Sequence, residues 1–207
     1  MSTLSIEDLT SRKDFDSNEI INSTLDISEN SILLLNNKSL EKLNKLISES
    51  LEHKLKAIIT TEDCSISNEK IIKVKNYDEV YWDLLDKICP DFQNKTFYGI
   101  TGTNGKTTTG YYLNQLIYSE SLFVGTTEAD IFKKITNEEH LTTPKLFNII
   151  KFLGLKENRA VNDIVLEVSS HALDQERLKD LKFKVSGFTN LSQDHFDYHK
   201  NIDNYFK

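Results

Sequence analysis

The segment Gly99-Ile100-Thr101-Gly102-Thr103-Asn104-Gly105-Lys106-Thr107-Thr108-Thr109 sets glycines, a lysine and hydroxyl residues close together. Glycines let a backbone curl until several N–H groups point at one anion. A strand-like run, Thr96–Thr101, leads into the loop, and a helix-compatible run, Lys106–Ser119, leaves it. That order aims the positive N-terminal end of a helix at the same anion. Lys106 adds a mobile charge suited to the outer phosphates of a nucleotide. Thr107 adds a hydroxyl for a Mg²⁺ ion shared with those phosphates. Gly102–Thr108 therefore reads as a cradle for ATP phosphates. The common phosphate-loop pattern has glycine where Ile100 stands, and Gly102 and Gly99 are the nearest. An ordinary glycine turn before a helix is the plainer alternative, but strand, helix and the Lys-Thr junction agree on phosphate.

Further polar groups fall at predicted strand ends. Asp163-Ile164-Val165-Leu166-Glu167 places a carboxylate at the end of an apolar run. In open α/β sheets ligands gather at the carboxyl ends of strands, so Glu167 would face the crevice that holds Lys106. Mg²⁺ takes oxygen ligands and shares them with phosphates. The next run is followed by Asp194-His195-Phe196-Asp197-Tyr198-His199. His195 could ligate a metal, with Asp194 or Asp197 orienting it. A solvated strand end for Glu167 and a surface loop for the histidines remain open alternatives. Thr142-Thr143-Pro144 reads as an ordinary helix start. Arg177, near Gln175, is either a surface charge or a two-pronged grip on a carboxylate.

These groups need elements to hold them. Ser31–Leu35, Ala57–Thr60 and Lys70–Lys75 read as strands. Ser39–Leu51, with Leu40, Leu43, Leu46, Ile47 and Leu51 on one face, and Tyr77–Ile88 read as helices. Polar Pro90–Lys95 marks a boundary. Beyond it, Thr96–Thr101, Leu122–Gly125, Asp163–Val168 and Phe183–Thr189 read as strands, with a helix over Pro144–Leu155. Near-continuous apolar strands between helices imply a parallel sheet. The expectation is an α/β protein: a small N-terminal α/β domain, then the first part of a mostly parallel sheet domain of the phosphate-loop type.

The 207 residues carry a formal net charge of −7 and two cysteines, Cys64 and Cys89. The acidic balance argues against nucleic-acid or membrane-surface partners. Two irregularly spaced cysteines form neither a disulfide framework nor a zinc site. The opening MSTLSIEDLT lacks the basic and apolar run of a signal peptide. A cytoplasmic protein, monomeric, is expected.

Four segments occur in a telling order: GITGTNGKTTT (Gly99–Thr109), LTTPK (Leu141–Lys145), EVSSHALDQERL (Glu167–Leu178) and FTNLSQDHFDYH (Phe188–His199). Together they resemble the Mur ligase family. The first is shared with folylpolyglutamate synthetases, whereas EVSSHAL and DHFDYH resemble the branch that adds the third amino acid of the peptidoglycan stem. The resemblance implies that Gly102, Thr103, Asn104, Gly105, Lys106, Thr107 and Thr108 hold ATP. It implies that Thr107, Glu167 and His195 bind Mg²⁺, with Lys106, Glu167 and His195 catalytic. Ser23, Thr142, Thr143, Ser169, Gln175 and Arg177 would hold the UDP-linked muramoyl dipeptide. The implied reaction joins meso-diaminopimelate or L-lysine to UDP-N-acetylmuramoyl-L-alanyl-D-glutamate through an acyl phosphate.

The family's Asp-Ser-Arg near the uridine is matched here by Asn22-Ser23-Thr24, only in Ser23. A Gly/His-containing segment usual in the family is not visible after Leu35. The implied domains are 1–92, binding the UDP substrate, and 93–207, part of the ATP-binding domain. The family's carbamylated lysine is expected just beyond Lys207, and the amino-acid-selecting third domain lies outside these residues. An N-terminal fragment without ligation activity of its own is therefore expected. The alternatives are a nucleotide-binding remnant without turnover, or another ligase of the Mur, folylpolyglutamate or cyanophycin type.

Overall fold

The structure is a computed structural model that describes residues 6–11, 15–117, 120–127, 129–138, 141–178 and 181–206. Two compact units emerge. One comprises Met1–Pro90 with Thr136–Glu138, the other Asp91–Ile135 with Glu139–Lys207.

The first unit contains a short helix, α1 (Ile6–Thr10), and a parallel sheet in the order β1-β2-β3-β4. Its strands are β1 (Ile20–Ile21), β2 (Ile32–Leu34), β3 (Ala57–Thr61) and β4 (Ile71–Val74). β1 was not expected, since two residues show no periodicity. The register sets Leu33 beside Ile58 and Ile59 beside Ile72. Helix α2 (Leu40–Leu51) begins where the Ser39 hydroxyl accepts the Lys42 N–H, and it buries Leu43 and Ile47. These side chains pack with Leu33 and Ile58 as one core. Helix α3 (Tyr77–Ile88) is capped by Asn76 and buries Tyr77, Tyr81, Leu84 and Leu85. Thr136–Glu138 joins this unit through Asp26, whose carboxylate accepts from Thr136 Oγ1 at 2.7 Å and Asn137 N at 2.6 Å.

The second unit is built on β5 (Thr96–Thr101), β6 (Ser121–Val124), β7 (Asp163–Glu167) and β8 (Val185–Phe188), all parallel, in the order β6-β7-β5-β8. The chain leaves β5 toward one side of the sheet and later returns to its other side. The carboxyl end of β5 is thus a topological switch point, where ligands bind in such sheets. Register brings Ile100 beside Glu167 and Thr101 beside Phe188, so the site-bearing strand ends are level. Ile100, Phe123 and Val165 form a core with Leu113 of α4 (Lys106–Leu116) packed against it. The other helices are α5 (Leu146–Gly154), α6 (Ser170–Asp174), α7 (Phe196–His199) and α8 (Ile202–Phe206).

Several element limits differ from expectation. The helix expected over Lys106–Ser119 ends at Leu116, because Ile117 is extended (φ −78, ψ 123); residues 118 and 119 lie outside those described. The helix expected from Pro144 starts at Leu146, with Lys145 still extended. Just before it, the Thr143 hydroxyl is tied to the Glu167 carbonyl at 2.8 Å, which holds the chain out of helical geometry. Strand β8 is shorter than Phe183–Thr189, because Thr189 already turns into contacts with the glycine loop. Among the described residues no helix is long and apolar enough to cross a membrane.

Candidate active site

The glycine loop joins β5 to α4 with two residues at positive φ, Gly102 (φ 127) and Gly105 (φ 83). They are glycine for different reasons. A Cβ on Gly102 would lie 2.2 Å from Thr189 Oγ1 and 2.8 Å from the Asn190 carbonyl, so the facing chain excludes any side chain. A Cβ on Gly105 would meet nothing within 4 Å, and there the left-handed backbone is what favours glycine. The departure from the common loop pattern is thereby explained. Ile100 is buried core, and the close approach falls two residues later, at Gly102.

Lys106 Nζ donates to the carbonyls of Gly102 and Thr103, each at 2.8 Å. The first helical bond of α4 runs from Thr109 N to the Gly105 carbonyl. Among the described residues, the N–H groups of Gly105, Lys106, Thr107 and Thr108 donate to no protein acceptor. They are the unsatisfied donors of a helix N-terminus, which suits an anion.

Glu167 is buried, with 3% of its surface exposed. Its Oε2 accepts from Thr107 Oγ1 at 2.9 Å and from Thr126 N at 3.0 Å, and lies 3.2 Å from Thr126 Oγ1. Gly125 permits this approach, since a Cβ there would stand 2.7 Å from the same oxygen. Thr126 Oγ1 also lies 3.2 Å from Thr142 Oγ1. Thr107, Glu167, Thr126 and Thr142 thus form one continuous polar chain across the sheet end.

Beside it stands the Ser169–Arg177 segment. Thr143 is fully buried, and its hydroxyl accepts from Ser169 N at 2.9 Å and lies 3.2 Å from Ser169 Oγ. Ser169 caps α6 through Ala172 N. Glu176, at φ 52, turns the backbone between Gln175 and Arg177. Arg177 sets two nitrogens on Gln175 Oε1, at 2.9 Å and 2.7 Å, and a third on the Thr143 carbonyl at 3.1 Å. Thr143, Ser169, Gln175 and Arg177 are therefore one cluster. Ser23 belongs to the first unit, where it is buried and caps the 3-10 turn Thr24–Asp26.

His195 has a left-handed backbone (φ 52) at the start of α7, with Nε2 3.6 Å from Asp194 Oδ2. Its ring packs edge-on to His171 at 4.8 Å and lies 6.2 Å from Tyr205. No hydrogen bond or ion pair joins His195 to Glu167, so of the expected metal ligands only Thr107 and Glu167 touch. Burial lowers the His171 pKa, and the neighbouring His195, His199 and Arg177 lower it further against the opposing pull of Asp197. Among the described residues no three His, Cys, Asp or Glu side chains gather as a metal cage. A hard ion that takes a hydroxyl, a carboxylate and phosphate oxygens fits the Thr107–Glu167 pair, because Mg²⁺ rarely uses an all-protein cage.

Sequence reasoning missed Thr126, Thr189, Asn190, Ser192 and Tyr205. Thr126 follows β6 at the binding edge of the sheet, and its place after Gly125 was a usable signal. The other four act on the glycine loop across long sequence separations, Tyr205 from helix α8, and spacing does not report such contacts.

Residues 100–207 match the family described as the Mur ligase middle domain. The chain is 34% identical over 168 residues to the UDP-N-acetylmuramoyl-L-alanyl-D-glutamate–2,6-diaminopimelate ligase of Rickettsia bellii, covering 78% of this chain and 35% of that protein. It is 40% identical over 115 residues to UDP-N-acetylmuramyl-tripeptide synthetase 2 of Oceanobacillus iheyensis, covering 54% of this chain and 23% of the relative. The chain thus spans about a third or less of the length of these curated relatives. In fold it is similar to a solved UDP-N-acetylmuramoyl-L-alanyl-D-glutamate–2,6-diaminopimelate ligase, with a TM-score of 0.65 at 20% identity, over 99% of this chain and 43% of that one. It is also similar to the MurF ligase of Thermotoga maritima solved with ADP, with a TM-score of 0.53 at 15% identity, over 93% and 42% of the two chains. With its middle-domain match extending over more than half its length, the chain belongs to the Mur ligase family.

Proposed function

We propose that this chain supplies the nucleotide-binding and dipeptide-binding parts of an ATP-dependent ligase that adds 2,6-diaminopimelate to UDP-N-acetylmuramoyl-L-alanyl-D-glutamate in peptidoglycan biosynthesis. The observation that carries the reading is the pairing of Thr107 with Glu167 at 2.9 Å, beside four free amides and Lys106. The Rickettsia bellii relative is named for joining that dipeptide to 2,6-diaminopimelate, and the MurF ligase was solved with ADP. The acceptor amino acid is assigned from the relatives' named substrate, with L-lysine as the other diamino acid of the same chemistry.

Each residue has a physical task in this reaction. The amides of Gly105–Thr108 and the Lys106 ammonium receive phosphate oxygens and offset the repulsion between two anions, the phosphate and the dipeptide carboxylate. Thr107 and Glu167 would hold Mg²⁺, which supplies further charge neutralisation there. His195, oriented by Asp194, is the remaining metal candidate of the proposal. Arg177, braced on Gln175 and Thr143, is placed to grip a carboxylate, with Thr142 and Ser169 positioning the same substrate. The first unit, through Ser23, is proposed to hold the UDP end. The dipeptide carboxylate would attack the γ-phosphorus of ATP and release ADP, and the incoming amine would then displace phosphate from the acyl phosphate and lose a proton to form the amide, so no side-chain nucleophile is required. The protein is proposed to work as a cytoplasmic monomer without nucleic-acid or membrane partners; Cys64 and Cys89 are buried and in no disulfide, which suits a reducing compartment.

The test is tripeptide formation by a complete ligase carrying this segment, with ATP, the UDP-linked dipeptide and either diamino acid. Product that depends on all three substrates and vanishes with Lys106→Ala is expected. Unchanged product with Lys106→Ala would refute the assignment.

A further inference from the structure

The phosphate loop is held from outside itself, by the chain that follows β8. Asn190 engages Asn104 with both ends of its side-chain amide. Oδ1 accepts from the Asn104 N–H at 3.1 Å, and Nδ2 donates to the Asn104 carbonyl at 2.8 Å. The Asn190 carbonyl accepts from the Thr103 N–H at 2.8 Å. Thr189 Oγ1 adds a contact to the Asn104 carbonyl at 2.8 Å. Ser192 N donates to Thr103 Oγ1 at 2.9 Å, and the Tyr205 hydroxyl lies 3.1 Å from that same oxygen. Gly102 has no room for a Cβ because Thr189 and Asn190 stand against it. Two of the loop's N–H groups are therefore already taken, whereas among the described residues those of Gly105–Thr108 meet no protein acceptor.

We propose that Asn190 is a positioning residue for the phosphate loop. By taking the N–H groups of Thr103 and Asn104 it shapes the loop before nucleotide arrives and leaves the phosphates to Gly105–Thr108 and Lys106. The proposal rests on reading Gly102–Thr108 as the phosphate loop. Its physical basis is preorganisation: a loop ordered during folding loses less freedom when ligand binds. The loop and the segment that carries His195 then move as one piece, because Thr189, Asn190 and Ser192 lie between β8 and His195.

Backbone amide exchange, resolved by NMR on the isotope-labelled chain, tests this directly, with ADP as the probe. Without nucleotide the amides of Thr103 and Asn104 should exchange slowly and those of Gly105–Thr108 fast. ADP should slow the second set and leave the first unchanged. Asn190→Ala should speed exchange at Asn104 and weaken ADP binding by roughly tenfold, the size of one or two net hydrogen bonds. Exchange within β5 and the middle of α4 should stay as in the wild type. The wild-type exchange pattern decides the matter even if the variant does not fold. Thr103 and Asn104 amides that are unprotected until ADP is added would overturn the clasp, as would wild-type ADP affinity in a folded Asn190→Ala. A wild-type chain that binds no ADP would instead overturn the phosphate-loop reading, and the clasp with it.

Discussion

The hydroxyl of Thr107, at the start of α4, lies 2.9 Å from Oε2 of Glu167, at the end of β7. One residue comes from the helix N-terminus and the other from a buried strand. They meet because β5 lies beside β7 with Ile100 level with Glu167, and the pair is where the proposed nucleotide and Mg²⁺ sites would join. Glu167 is the more constrained partner, held also by Thr126 and crowded by Gly125.

That crowding makes Gly125→Ala informative. The added Cβ would stand 2.7 Å from Glu167 Oε2 and 2.6 Å from Phe123 Cζ, so the carboxylate must shift away from Thr107. In a complete ligase carrying this segment, Gly125→Ala and Glu167→Gln should each lower kcat by about a hundredfold, the scale of losing a charge-stabilising group. Both should bind the UDP-linked dipeptide with near wild-type KM. Steady-state kinetics decide it, and a Glu167→Gln enzyme with wild-type kcat would remove Glu167 from the site.

Arg177 should matter to the dipeptide and not to the nucleotide. Its guanidinium meets Gln175 with two nitrogens and the Thr143 carbonyl with a third, an arrangement only a planar fork can make. Arg177→Lys should raise the KM for the dipeptide by about tenfold or more while leaving that for ATP within about twofold. Equal effects on both constants would show a general loosening in place of a specific grip.

Much of the architecture was legible in the sequence. Apolar runs such as Ala57–Thr61 and Asp163–Glu167 mark strands, and the first lies between helices whose caps, Ser39 and Asn76, are of residue types that favour that position. The meeting of Thr107 with Glu167 at one end of the sheet was legible, because both were expected at the carboxyl ends of strands facing one crevice. Asn190 and Tyr205 were not, since each acts on a loop more than eighty residues away and no local spacing records that contact. Gly102 shows the same limit. Its glycine is required by Thr189, which approaches only once β8 is paired with β5.

The first unit carries an alkaline liability. Burial raises the phenol pKa of Tyr77, helped by Tyr81 and Asp78, and burial with Asp78 raises that of Tyr81. Unfolded, both phenols release their protons near the ordinary value of about 10, while the folded unit still holds them. Above that pH the unfolded chain binds fewer protons, so stability is full below about pH 10 and falls as pH rises past it. Melting temperature should drop as pH rises above about 10, and the Tyr77→Phe/Tyr81→Phe double variant should drop less. Parallel declines in the two proteins would place the alkaline sensitivity elsewhere.

Gly102–Thr108 is proposed to bind nucleotide phosphate through Lys106 and the amides at the start of α4 that meet no protein acceptor. Calorimetric titration of the chain with ADP and Mg²⁺, wild type against Lys106→Ala, tests it most directly. Among the described residues Lys106 Nζ bonds only to the loop carbonyls of Gly102 and Thr103, so its removal should leave the melting temperature nearly unchanged. Saturable ADP binding by the wild type, weakened by roughly a hundredfold or more in Lys106→Ala, is the expected result. Equal ADP affinity in two equally folded proteins would contradict it.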